Sequence, residues 1–233
     1  MRGLGLSIGM VERYHTLEGL VVGRKSLPGG DIILSLVTPE GAMQAVARKA
    51  QRPSGRSGRL SLFHHLNFQI YQKPGSDLPT LTQAELVGRL AGLEAPDRFP
   101  YASFLAELAF RLASPEIAPR IWPLVISGLK GIAKHNDPRL ALVWAGWRVL
   151  KAAGLAPNLT GDGQALNQGK LTGRGQGMFL GKDGVQSLRA VLTLPGNRAI
   201  EALEEAPLER LVRALKTHVA AHVGDLKTAA MLR

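Results

Sequence analysis

The sequence predicts an α+β chain with more than one domain, in which a small β-barrel precedes an α-helical domain. Hydrophobic residues alternate with a period of two, between turn residues, up to about residue 90, and with a period near four after Pro96. The 233 residues are enough to bury a sizeable core. The 29 Lys and Arg against 18 Asp and Glu give a net charge of +11, which indicates a polyanionic partner rather than a particular fold.

Five strand candidates, separated by turn residues, make up the predicted barrel. They span residues 16–25, 31–38, 42–49, 60–71 and 78–87. Gly19 and Gly23 inside the first strand predict a bulge or sharp coiling. Five short, bent strands fit a closed barrel of the OB type, which has no exposed edge strand. An SH3-like barrel is the alternative, and the sequence does not separate the two.

A basic loop connects the third and fourth strand candidates. Residues 48–59, RKAQRPSGRSGR, include five cations and no acid, and their Gly, Ser and Pro are typical of a loop. Because Lys and Arg neutralise phosphates, this loop beside a sheet predicts a nucleic-acid surface. The candidate contacts on the loop, the turns near it and the fourth strand are Arg24, Lys25, Arg48, Lys49, Arg52, Arg56, Arg59, Phe63, His65, Tyr71 and Lys73.

The fourth strand is predicted to have one apolar and one polar face. Strict alternation places Leu60, Leu62, Leu66, Phe68 and Ile70 on the inner face. Phe63, His65 and Tyr71 then lie on the outer face, where two uses remain open. Aromatic rings there stack on unpaired bases in single-strand binders, or the helical domain covers them.

Four stretches with apolar residues at helical spacing follow the predicted barrel. Tyr101 to Leu112, with Pro100 in the first turn, predicts one helix; Ile121 to Ile132 predicts a second; a third runs from Asp137-Pro138 to Leu150 and ends before Gly154. A final helix begins at Pro207. Trp144 and Trp147 are assigned to the core. His218 and His222 are four residues apart but lack a third ligand in the sequence nearby, so they are interpreted as packing residues rather than a metal site.

The Gly-rich segment before the last helices and the catalytic motifs that the sequence lacks both bear on the predicted function. Residues 155–184 are rich in Gly, poor in apolar residues, and hold neither Cys nor His, so they predict an excursion without metal ligands. The chain has no cysteine, no GxSxG and no HExxH, which predicts that it is not an enzyme and needs no cofactor or metal. No apolar run approaches about 20 residues. Residues 1–15 are interpreted as a disordered leader, with Met10 as an alternative start, of a cytoplasmic protein.

Several segments, in order, resemble the RecO family of bacterial recombination mediators. They are GLVVGRK, DIILSLVTPEG, AVARKAQRPSGR and LSLFHHLNFQIY, then PYASFLAELAFRLA, WRVLKAAGLAPNL and AAHVGDLKTAAML, within residues 16–232. The resemblance implies an OB barrel at residues 16–92 and a helical domain at residues 93–159 and 184–233. Many members carry a cysteine zinc module before the last helices. Here residues 160–183 stand in its place, as a Gly-rich, zinc-free remnant of a zinc finger.

The resemblance also implies a nucleoid-associated protein that binds single- and double-stranded DNA and anneals complementary strands. Its implied partners are RecR, the acidic C-terminal tail of the single-stranded-DNA-binding protein and, indirectly, RecA, which it helps to load with RecR; it has no membrane partner. Lys130, Arg139, Arg148 and Lys151 are the candidates for binding the tail. A nonenzymatic RNA-binding or ribosome-associated barrel protein is the alternative, and an unrecognised nucleotide enzyme is a third possibility.

Overall fold

A five-stranded barrel forms the first part of the structure. The computed structural model describes residues 13–51, 58, 60–159, 170–171 and 178–232. The strands are β1 (Tyr14–Ser26), β2 (Ile32–Thr38), β3 (Gly41–Ala47), β4 (His64–Tyr71) and β5 (Thr80–Arg89). They close into a barrel in the order β1-β2-β3-β5-β4, with β4 returning to β1. All pairs are antiparallel except β3 and β5, which pair in parallel through Val46 and Thr80.

The first strand is long and bent, so that it pairs with two neighbours. Its first half pairs with β4 and its second half with β2, and the register shifts between Val21 and Gly23. This shift confirms the predicted irregularity at Gly23. At Gly19, a Cβ atom would lie 2.9 Å from Phe68 Cε1 and 3.1 Å from the Val37 carbonyl oxygen, so a side chain here would crowd both neighbouring strands. The bend therefore depends on residues without a side chain.

The barrel interior is filled mainly by strand residues that alternate with exposed ones. Leu34, Leu66 and Phe68 are at most 1% exposed, and they belong to one apolar cluster inside the barrel. The predicted inner positions of Leu66, Phe68 and Ile70 are confirmed. The predicted start of the fourth strand at residue 60 is wrong, because residues 60–63 form a bend and turn and β4 begins at His64.

Six α-helices follow in the described part of the chain. They are α1 (Phe99–Leu112), α2 (Ala118–Lys134), α3 (Pro138–Ala152), α4 (Gly181–Thr193), α5 (Gly196–Glu204) and α6 (Leu208–His222), and they confirm the α+β prediction. Helices α4 and α5 are additional to the four predicted helices. Between α3 and α4, the two-residue strands β6 (Lys170–Leu171) and β7 (Met178–Phe179) pair with each other. Most of the Gly-rich segment and of the leader lies outside the described residues. None of the helices in the described ranges is long and apolar enough to cross a membrane.

The barrel and the helices share one core. Leu20, Val37 and Phe63 of the barrel region belong to the same buried cluster as the apolar faces of the helices. Helix α1 packs against β1 and β2, and Ala42 N–H at the start of β3 donates to the carbonyl of Ala113 (2.7 Å). This continuous core fixes α1 against the outside of the barrel.

Candidate nucleic-acid interface

The base of the basic loop is tied to the turn between β1 and β2. Asp31 Oδ1 accepts a hydrogen bond from Lys49 N–H (2.7 Å), and Gly30 O accepts one from Gln51 N–H (3.1 Å). Arg48 and Lys49 are exposed, whereas Ala50 between these contacts is 3% exposed. The loop therefore starts from a fixed position at one end of the barrel. Arg52, Arg56 and Arg59 lie outside the described residues.

Arg24 and Lys25 lie at the same end of the barrel as the loop. Lys25 pairs with Ile33 across β1 and β2, and Ile33 pairs with Val46 close to the end of β3, just before Arg48. Both β1 cations are exposed. The structure thus brings together four of the predicted contacts, which are Arg24, Lys25, Arg48 and Lys49.

Two neighbouring grooves meet at Arg24. The larger, of about 610 Å³, lies between the outer face of β1, β2 and β3 and helix α1, and we call it the α1 groove; its lining includes Gly23, Ser35, Gln44, Ser103 and Phe110. On its floor, Gln44 Nε2 donates to Ser35 Oγ (3.2 Å). The smaller, of about 480 Å³, is lined by Gly58 of the basic loop and by His64, Arg89 and Glu94. Arg89 was missed by sequence reasoning because it lies far along the chain from the loop.

Phe63 is not available for stacking on a base, so its predicted contact is wrong. The residue is 2% exposed, and its ring lies edge-on to that of Phe99 in α1, with centroids 6.0 Å apart. Its backbone has φ of +62°, and its N–H donates to Val21 O (2.8 Å). The positive φ turns the side chain away from the outer face of β4 and into the core shared with the helices. The sequence leaves two uses open for this ring, stacking on a base or coverage by the helical domain. Phe63 is covered by the helical part.

His65 and Tyr71 lie on the outer face of β4 but in different surroundings. The His65 ring is 5.7 Å from that of Trp122 in α2, and its Nε2 lies 2.6 Å from Glu18 Oε1, so α2 partly covers it. Tyr71 packs against Tyr14, with centroids 5.0 Å apart, and Tyr14 is 53% exposed. This tyrosine pair, like the exposed Lys73 that follows it, lies at the opposite end of β1 from Lys25. It is therefore separate from the basic loop.

The predicted tail-binding cations lie mostly in contacts within the chain. Arg148 donates to the carbonyls of Val191 and Leu194, and Lys151 donates to that of Leu192, so both cap the C-terminal end of α4. Burial lowers the pKa of Arg148, whose guanidinium also lies 5.0 Å from the centre of the Trp144 ring. Arg139 binds both carboxylate oxygens of Asp137. Lys130 is exposed on α2.

An apolar groove opens near these cations, between α2, α3 and α5. Its volume is about 420 Å³, and its lining includes Gly131, His135, Trp144 and Ile200. The indole Nε1 of Trp144 is buried and has no acceptor among the described residues. Buried donors normally have a partner, so this N–H is an unsatisfied donor behind the apolar wall of the groove.

The comparisons with known proteins agree with the resemblance. The family model described as "Recombination protein O N terminal" matches residues 10–90. A protein of Heliobacterium modesticaldum named DNA repair protein RecO is 30% identical over 152 residues, which are 64% of this chain and 54% of the relative. One of Symbiobacterium thermophilum with the same name is 31% identical over 151 residues, which are 62% and 58%. The chain is therefore similar to proteins of the RecO family.

The similarity to RecO proteins covers only part of this chain and part of each relative. The family model covers the barrel and the basic loop, but none of the helices. The chain spans little more than half the length of the curated RecO relatives it matches. The solved structure of Entamoeba histolytica asparaginyl-tRNA synthetase aligns with 45% of this chain and 32% of its own at 11% identity and a TM-score of 0.29, a likeness that supports no argument.

Of the two histidines near the end of α6, His218 is buried in the helical core and His222 is exposed beside it. His218 Nε2–H donates to the carbonyl of Leu155 (2.7 Å), and the His218 ring lies 5.2 Å from that of Trp147 and stacks on that of His222 at 4.1 Å. Burial lowers the pKa of His218, although the Leu155 carbonyl favours the charged form. These contacts support the packing interpretation. Across the described ranges, no three His, Cys, Asp or Glu side chains are close enough to hold a metal ion.

Proposed function

We propose that this chain is a nonenzymatic DNA-binding protein of repair and recombination, which holds single- and double-stranded DNA on its barrel. The observation that carries the proposal is the set of exposed cations, Arg24, Lys25, Arg48 and Lys49, at one end of the barrel beside the α1 groove. Similarity to relatives that are named DNA repair proteins supports DNA as the polyanion.

The proposed barrel type agrees with this location. We assign the barrel to the OB type, supported by five strands that close with a single parallel pair between β3 and β5. In OB barrels, the face of strands 2 and 3 binds oligonucleotides. Here Ile33, Ser35 and Gln44 place that face on the floor of the α1 groove. We propose domains at residues 16–92 and at 93–159 with 184–233, with the Gly-rich segment 160–183 replacing a zinc module.

The proposed mechanism is electrostatic. Cations on the barrel and its loop neutralise phosphates and release counterions, which supplies binding energy for any sequence. Two strands whose charge is partly neutralised repel each other less, so complementary strands anneal faster without covalent chemistry. In this proposal the chain acts with RecR and helps to load RecA onto DNA coated by the single-stranded-DNA-binding protein.

A salt titration tests the DNA-binding proposal. The test variant replaces five loop cations with Ala: Arg48, Lys49, Arg52, Arg56 and Arg59. We expect weaker binding to an oligo-dT and a slope of log affinity against log salt concentration that is smaller in magnitude by up to about 3.5. The matched control removes five exposed helix cations instead, Arg120, Lys182, Arg198, Arg210 and Arg213. Equal slopes for the loop variant and the wild type would contradict the proposal. Structured RNA that competes better than single-stranded DNA would favour the RNA-binding alternative.

We also propose that the acidic tail of the single-stranded-DNA-binding protein binds the apolar groove between α2, α3 and α5. Trp144 and Ile200 give the groove an apolar lining for the peptide's apolar side chains, and the exposed cation Lys130 is next to the lining residue Gly131 on α2. Because Arg148 and Lys151 cap α4, their replacement would disturb the fold as well as any peptide. Ile200→Glu in the groove is therefore the sharper variant.

Fluorescence of the tryptophans, titrated with a tail peptide, measures this contact. Ile200→Glu is expected to lower the affinity at least tenfold, because it places a carboxylate beside an acidic peptide. Lys130→Ala is expected to have a smaller effect that disappears at high salt. Arg213→Ala, on another helix, serves as the control. Unchanged peptide affinity in Ile200→Glu would remove the proposal.

A further inference from the structure

The C-terminal segment 226–232 lies across α1, where it is held by the Glu107 carboxylate and by Lys216 Nζ, which donates to Leu232 O (2.9 Å). We call this segment the C-terminal strap. Glu107 Oε1 accepts a hydrogen bond from Lys227 N–H (3.0 Å), and Glu107 Oε2 accepts two from Thr228, from N–H (2.9 Å) and from Oγ1 (2.8 Å). Leu226 and Leu232 at its two ends are 5% and 4% exposed. The strap is thus anchored by apolar burial at both ends and by Glu107 between them.

The strap forms part of one wall of the α1 groove and adds a cation to it. The lining includes Lys227 of the strap and Arg111 of α1, together with Arg24 and Lys25 of β1. Glu107 is the single carboxylate among the described lining residues. Burial would raise its pKa, but the hydrogen bonds from Thr228 and Lys227 and the nearby Arg111 lower the pKa overall. Glu107 therefore remains ionised, bonded to the strap and 3.8 Å from Arg111 Nη2, and the described lining holds four cations against this one carboxylate.

The shape of the groove favours one nucleic-acid strand over two. It is bounded by the outer face of the barrel on one side and by α1 and the strap on the other. Its volume of about 610 Å³ is within the usual range of small-molecule pockets. A groove of this size holds a short stretch of one strand, whereas a duplex would have to remain outside.

We propose that single-stranded DNA continues from the basic loop through the α1 groove, where Arg111 and Lys227 contact its phosphates. Glu107 is a positioning residue, because it holds the strap that carries Lys227. This inference rests on the proposed DNA-binding function and adds a path on the helical side of the groove. It joins residues from three distant parts of the sequence into one binding surface.

Two full-length variants test the path by fluorescence anisotropy on a labelled oligo-dT and on a duplex of matched length. Arg111→Ala/Lys227→Ala is expected to lower single-strand affinity on the order of tenfold at low salt and to flatten the salt slope by about 1.4. Lys182→Ala/Arg198→Ala, which removes the same charge from exposed positions on α4 and α5, is the control. The duplex affinity is expected to change equally in both double variants.

The variant Glu107→Gln distinguishes two effects of Glu107 on DNA binding: positioning of the strap and its own negative charge. If charge alone mattered, this loss of a carboxylate would strengthen DNA binding. We expect several-fold weaker single-strand binding, because the amide presents a donor where the strap offers N–H groups. Thermal unfolding confirms that each variant is folded at the assay temperature.

Each outcome decides between the two proposals. Groove and control variants that bind single strands equally would overturn the inference while leaving the DNA-binding function intact. Stronger binding by Glu107→Gln would refute its positioning role. A wild-type protein that binds no DNA would refute both proposals.

Discussion

Replacing Gly128 with Ala tests how closely α2 and α3 approach each other in the helical core. A Cβ atom at position 128 would lie 2.4 Å from Ala145 Cβ and 2.8 Å from Leu105 Cδ2. Carbon atoms in contact prefer about 3.5–4.0 Å. The Leu105 methyl can rotate away, but Ala145 Cβ is fixed to the backbone of α3. The two helices must therefore separate by about 1 Å to accept one methyl group.

The expected cost follows from two opposing effects. Overpacking a dense core costs about 1–3 kcal/mol, and a contact as short as 2.4 Å between backbone-fixed atoms belongs at the upper end. Replacing Gly with Ala inside a helix contributes up to about 1 kcal/mol in the other direction. The net expectation is a loss of about 2 kcal/mol in the free energy of unfolding. For a chain of this size that corresponds to roughly 4–8 °C in Tm.

Urea unfolding followed by tryptophan fluorescence is a suitable assay, because all three tryptophans, Trp122, Trp144 and Trp147, lie on α2 and α3. The compensating variant is Gly128→Ala/Ala145→Gly, which restores room between the helices.

Ala145→Gly alone is expected to cost about 1 kcal/mol through helix propensity. The double variant should be more stable than the sum of the two single changes by about 1–2 kcal/mol. Gly88→Ala, which has open space around its Cβ position, is the neutral control. A Gly128→Ala protein at least as stable as wild type would refute the close approach.

Three further predictions concern buried groups. Phe63→Ala should lower the free energy of unfolding by about 3–5 kcal/mol in urea titrations; a variant as stable as the wild type would contradict the core assignment. Because burial lowers the pKa of His218, stability should be full above pH 6.5 and fall as the pH drops through that value toward the lowered folded-state pKa. His218→Gln should flatten this dependence in urea titrations at several pH values more than His222→Gln does, and equal slopes would rule out His218 as the cause. Arg148→Ala should speed amide hydrogen exchange in the last turn of α4 and cost about 1–3 kcal/mol, whereas unchanged exchange would show that the cap is dispensable.

The barrel was predictable from sequence because its strands obey a simple period. Alternation and turn residues placed all five strands, and the glycines of β1 indicated its irregularity. Helices α1, α2, α3 and α6 were also indicated by their apolar stripes. Helix α4 was missed because it begins with Gly181 and includes Gly184, and α5 was missed because it has nine residues and follows Pro195. Both helices do carry apolar residues at helical spacing, Val185, Leu188 and Val191 in α4 and Ala199 and Leu203 in α5, but the glycines and the proline at their starts are typical of loops.

The misplacement of Phe63 has a different origin. The alternation that holds within β4 was extended backwards to Leu60, but the chain turns before His64 and Phe63 adopts a positive φ. A positive φ at a non-glycine residue is uncommon, and periodicity gives no warning of it. One such residue moves an aromatic ring from the outer face of a strand into the core between two parts of the chain.

The residues of the candidate site also come together in a way that the sequence does not indicate. A local run of cations marked the basic loop, but Arg111, Lys227 and Glu107 meet only because α1 packs on the barrel and the strap crosses α1. Sequence distance hides such a set, since Glu107 and Thr228 are 121 residues apart. The core that includes Phe63 holds α1 in place, so the geometry of the α1 groove depends on residues that touch no DNA. In the proposed mode of binding, charge in the loop attracts the polyanion, whereas packing of the helical part sets the path that one strand would follow.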